Sequence, residues 1–91
     1  MTGSYALPVR LEGAALGTVK AALLEHRGAD LTLIGQDVQR LNGLGLQLLM
    51  AAFAAWRADG FRLCISEPSE ALRDAFRRLN IIHEECEGTV S

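Results

Sequence analysis

The stretch RLNGLGLQLL, residues 40–49, sets two glycines where a strand-like run passes into an apolar helical one. A glycine-rich strand-to-helix turn presents backbone amides at the positive end of a helix, which suits an anion. Gly43 and Gly45 form only a G-x-G, without the third glycine of a dinucleotide fingerprint or the Gly-Lys-Ser/Thr ending of a P-loop. The chain's single lysine, Lys20, lies on another element. A nucleotide- or anion-binding module is therefore the weaker reading. Glycines that serve backbone conformation and close helix–sheet packing are the stronger one.

Other residues with chemical reach fare no better. His83 and Cys86 in HEEC stand three apart as candidate metal ligands, but a zinc site needs four and no second pair exists. His26 closes a helix and His83 sits near the tail, so both read as exposed polar residues rather than bases. Cys64 lies mid-strand between Leu63 and Ile65, where a cysteine acts as a small inert hydrophobe. Arg73, Arg77 and Arg78 make a basic edge on the last helix, read as a solvated face with Glu70 and Asp74 nearby. No nucleophile–base pair emerges, so the expectation is a protein that is not an enzyme and carries neither cofactor nor metal.

Composition narrows the class further. Ninety-one residues with 49% hydrophobic and 22% charged side chains are expected to fold as one soluble domain spanning 1–91. A formal net charge of −2 gives no electrostatic reason to expect nucleic acid. No apolar run approaches the roughly 20 residues that span a bilayer, so membrane insertion is not expected. MTGSYALPVR has neither a basic leader nor a long apolar stretch, and two cysteines make no disulfide framework. A cytoplasmic, thiol-reducing location is the expectation.

Strand and helix signals alternate along the chain. YALPVRL (5–11) carries β-formers, but Pro8 cannot donate to a ladder, so it reads as an edge strand or as one broken at Pro8. Leu16, Val19 and Leu23, with Ala15 and Ala22, recur at helical spacing before Gly28. DLTLIG (30–35) and FRLCIS (61–66) read as buried strands on either side of a helix over 44–58 that ends at Asp59-Gly60. PSEALRDAFRRLNI gives an amphipathic helix with its stripe at Ala71, Leu72, Ala75, Phe76 and Leu79, and with Ser66 or Ser69 as its cap. Ile81-Ile82 reads as a last short strand and 84–91 as a loose tail. The pattern predicts an α/β layer structure of about four strands and three helices, the helices mainly on one face of the sheet.

The middle helix is too apolar for a surface helix. One stripe holds Leu44, Leu48, Ala51, Ala52 and Ala55; another holds Leu46, Leu49, Met50, Phe53 and Trp56 or Arg57. A two-layer domain buries one stripe about 100° wide and keeps the rest polar. The surplus is either enclosed between neighbouring helices or offered to a partner through Met50, Phe53 and Trp56, types enriched at interfaces.

VQRLNGLGLQLL resembles the signature turn of STAS domains, the fold of anti-sigma-factor antagonists and related bacterial scaffold subunits. In that family a hydrophobic residue and then Asp-Ser/Thr-x-Gly-Leu open a central helix. Leu41 stands at the hydrophobic place, Asn42 at the Asp, Gly43 at the Ser or Thr, and Gly45-Leu46 at the Gly-Leu pair. ADGFRLCISEPSEALRDAFRRLNI is similar to the family's next strand and last helix. The likeness runs from about 31 to 81, while the family's amino-terminal hairpin looks shortened to YALPVRL.

The resemblance implies a small STAS-like sheet and a non-enzymatic protein–protein interaction domain of bacterial signal transduction. The string LNGLGLQLLMAAFAAWRADG is most similar to small STAS proteins encoded beside chemotaxis genes, which often lack the phosphorylatable hydroxyl and keep a Gln where Gln47 stands. The implied partner is another signalling protein: a kinase, a sigma regulator or a chemotaxis component. An anti-sigma-factor antagonist or a STAS subunit bound to a transporter ATPase is the alternative, and the chain itself is expected as a monomer or weak homodimer. In regulated antagonists the hydroxyl after the Asp accepts phosphate, which adds roughly −1.5 to −2 charges and breaks the partner contact. Gly43 has no side chain there, and no Ser, Thr or Tyr occurs between Thr32 and Ser66. The expected partner-binding residues are Leu46, Met50, Phe53 and Trp56 for apolar contact or core, with Asn42, Gly43, Leu44 and Gln47 around the turn.

Overall fold

The computed structural model describes residues 3–80. Strands and helices alternate as β1 (Gly3–Ala6), β2 (Arg10–Leu11), α1 (Ala15–Glu25), β3 (Leu31–Ile34), β4 (Arg40–Leu41), α2 (Gly43–Asp59), β5 (Leu63–Ser66) and α3 (Glu70–Arg78). The α/β class and the three helices follow the hydrophobic patterning. Among the described residues five short segments form two parallel sheets, one ordered β1-β3-β5 and one pairing β2 with β4, in place of a single sheet.

Pro8 accounts for the first division. β1 runs in register with β3, Gly3 opposite Leu31 and Ala6 opposite Ile34, and the Leu7 amide still donates to the Ile34 carbonyl. Past the proline the Val9 carbonyl accepts from the amides of Gln39 and Arg40, and pairing resumes as Arg10 opposite Arg40 and Leu11 opposite Leu41. The proline supplies no amide, so the ladder is interrupted rather than continuous.

Leu31 and Leu33 of β3 alternate with half-buried Thr32 and Ile34, whereas all four residues of β5 are buried. Leu31, Leu33, Leu63 and Ile65 join Val19 and Leu23 of α1, Leu49 and Trp56 of α2, and Leu72 and Phe76 of α3 in one apolar cluster. α1 packs against α2, α2 against β5, and α3 against β4. Ser69 caps α3, its hydroxyl accepting from the Leu72 amide at 3.1 Å. Gly60, at φ 81°, ends α2 in the left-handed conformation that glycine tolerates best. The expected strand at Ile81-Ile82 and the tail from 84 lie outside the described residues.

Candidate functional site

The glycine turn is built by the short β2–β4 pair. Arg40 and Leu41 end that ribbon, Asn42 stays extended at φ −114° and ψ −178°, and α2 begins at Gly43. The Asn42 side-chain oxygen accepts from the Gly45 amide at 2.8 Å, and its carbonyl accepts from the Leu46 amide at 3.1 Å. This is an N-cap, satisfying a donor that the first helical turn leaves without an intrahelical partner. No acidic residue stands in that first turn.

The two glycines meet different surroundings. A Cβ on Gly45 would approach the Leu11 carbonyl oxygen to under 3.0 Å and the Leu11 Cγ to 3.2 Å. The end of β2 therefore lies directly against the second turn-facing residue of α2, and only hydrogen fits between them. A Cβ on Gly43 would meet nothing within 4 Å. Packing explains the first glycine and leaves the second without a steric reason.

The surplus apolar surface of α2 divides. Leu46, Leu49, Ala52 and Trp56 enter the core, with Trp56 only 2% exposed. The indole Nε1–H donates to the Ala29 carbonyl at 2.8 Å, and the Arg27 guanidinium lies 5.8 Å from the ring centroid. Arg27 is held there by Asp59, 2.7 Å away. Leu46 and Trp56 thus serve as core, the second of the two roles expected of them, and do not form contact surface. Phe53 is half-buried, while Leu44 is 63% exposed and Met50 46% exposed. Asn42, Gly43 and Gln47 are exposed beside them. Of the eight residues singled out, six therefore reach the surface around the start and outer face of α2.

The remaining chemical candidates do not converge. His26 is the C-cap residue of α1 and is half-buried, its ring 6.5 Å from that of Tyr5. Arg77 and Arg78 both pair with Asp74 on α3, as a solvated charged face would. Cys64 is buried with its Sγ 3.8 Å from the Thr32 hydroxyl, and it is not a free thiol, which departs from the inert side chain expected there. His83 and Cys86 lie outside the described residues. Among the described residues no group of three or more His, Cys, Asp or Glu side chains is placed to hold a metal, and no helix is long and apolar enough to cross a membrane.

Sequence reasoning missed two features of this region. One is Leu11, whose carbonyl dictates Gly45; nothing in a two-residue strand announces its distant neighbour. The other is Leu24 of α1, which is 57% exposed although it follows the buried Leu23. Its place beyond the Val19–Leu23 stripe was the available signal. No protein-family model, curated protein or solved structure matches the chain.

Proposed function

We propose that the chain is a STAS-type protein-interaction domain of bacterial signalling, associated with chemotaxis, whose docking face is the Asn42–Gly43 turn with Leu44, Gln47, Met50 and Phe53. The observation that carries this reading is the pairing of an open, side-chain-free Gly43 with large exposed apolar side chains at Leu44 and Met50. Full burial of such a side chain is worth roughly 1.5–3 kcal/mol, and a partner surface recovers the fraction that Leu44 and Met50 leave in water. The STAS-like arrangement is supported by the crossovers. β1 to β3 and β3 to β5 are parallel neighbours joined through α1 and α2. Right-handed crossovers advancing the same way put both helices on one face of the sheet.

Regulation by phosphate at this turn would require a hydroxyl, and Gly43 has none. Docking is therefore constitutive as far as this turn is concerned, and control lies with the partner or with its abundance. The partner is another signalling protein. Affinity capture from the source cell with the intact chain, followed by identification of the retained protein, tests this directly. A chemotaxis protein is the expected result. Recovery of a sigma-regulating kinase or a transporter ATPase would move the domain to a different signalling system, and failure to retain any protein would remove the docking role.

A further inference from the structure

A second surface lies on the opposite flank of α2 from Met50, in the groove between α1 and α2. Its floor is formed by half-buried Leu48 and Ala55, and its walls rise to Leu24 on α1 and Leu44 at the start of α2. Lys20 lines both stretches of the groove, placing one cation along its length. Among the described residues no carboxylate pairs with Lys20. Arg27 and Asp59 pair with each other at the far end, by Trp56, so their charges cancel locally. No carboxylate lines either stretch of the groove, so with Arg27 neutralised by Asp59 the lining keeps the positive charge of Lys20.

The groove runs along α2, so its length is set by that helix. From Leu44 to Ala55 α2 rises about 17 Å at 1.5 Å per residue, three turns of a partner helix laid alongside. Helices that dock in grooves do so through apolar anchors at i, i+3 or i+4 and i+7, which match walls and floor made of leucine and alanine. Lys20 adds a sign: an opposing helix gains from a carboxylate at mid-groove and loses from a cation there. We infer that the α1–α2 groove is a docking site for an acidic amphipathic helix of a partner protein, with Leu24 and Leu44 gripping its apolar face and Lys20 pairing with a carboxylate.

This inference stands on the groove and goes beyond the Met50 face, so neither experiment decides the other. The probe is a stapled twelve-residue peptide with leucines at helical spacing and glutamates beside them, stapled because isolated helices this short are marginal in water. Its glutamine counterpart serves as the neutral control. Titrated into the isotopically labelled chain at low salt, the acidic peptide is expected to give saturable amide shifts at Leu16, Lys20, Leu24 and Leu48. It should bind about fivefold more tightly than the glutamine peptide, the scale of one partly exposed ion pair. Lys20→Gln should erase that difference and leave the glutamine peptide unaffected, while Leu24→Asp should weaken both peptides. Amide spectra of each variant report folding independently of binding. Four results would overturn the inference: no saturable shift at millimolar peptide, shifts outside the groove, equal affinity for the two peptides, or groove shifts produced by self-association or by anionic phosphatidylglycerol vesicles in place of the peptide.

Discussion

Gly43 and Gly45 sit two residues apart in one turn, and the fold treats them differently. At Gly45 the Leu11 carbonyl leaves no volume for a methyl group, while at Gly43 the space is empty. Neither glycine has a positive φ. Gly45 is thus imposed by packing of β2 on α2, and Gly43 is not imposed by anything the fold needs. A glycine the fold does not require, at the exposed start of a helix, fits a surface that a partner approaches closely.

Substitution at Gly45 should give the largest effect. Gly45→Ala is expected to destabilise by about 1–3 kcal/mol or more, because the obstacle is backbone rather than a movable side-chain tip. A shift of the urea midpoint at unchanged slope would measure it. A midpoint equal to that of the parent would show that β2 does not press on α2. Asn42→Ala comes next at roughly 1 kcal/mol, the usual loss when an N-cap acceptor is removed. Far-ultraviolet circular dichroism during the same titration should show helix and fold lost together. Gly43→Ala should go the other way, stabilising by less than about 1 kcal/mol, since alanine is the better helix former and meets no neighbour. A destabilised Gly43→Ala chain would erase the contrast between the two glycines. Smallest of all is Met50→Asp, a surface change expected to alter the thermal midpoint by no more than about 0.5 kcal/mol equivalent.

Much of this was legible from the residues, for identifiable reasons. Helices α1, α2 and α3 carry long periodic runs with recognisable ends, such as Ser69 before α3 and Gly60 after α2. The break at Pro8 follows from a missing amide. β2 and β4 were harder, because two residues carry no periodicity of their own and pair only through contacts distant in sequence. The same limit hid the reason for Gly45. On α2, composition announced too much apolar surface but could not apportion it. Trp56 goes inward because Ala29 supplies an acceptor for its indole N–H, while Met50, six residues earlier, is left on the outer face. The stripe reading put Met50 and Trp56 together, and the structure splits that stripe between core and surface.

The outer face of α2 also separates the two candidate surfaces. Met50 and Phe53 lie on one flank and Leu24, Lys20 and Leu44 border the other, with Gln47 and exposed alanines between. Leu44 sits where the turn meets the groove, so a Leu44 substitution touches both, whereas Met50→Asp and Leu24→Asp each touch one.

The decisive measurement is the affinity of the captured partner, once purified, for the parent chain and for the folded Met50→Asp variant. A docking face centred on the outer side of α2 predicts that a charge at this position weakens binding at least about tenfold, as truncated interface anchors commonly do. Affinity for Met50→Asp equal to that of the parent, with the fold intact, would contradict it.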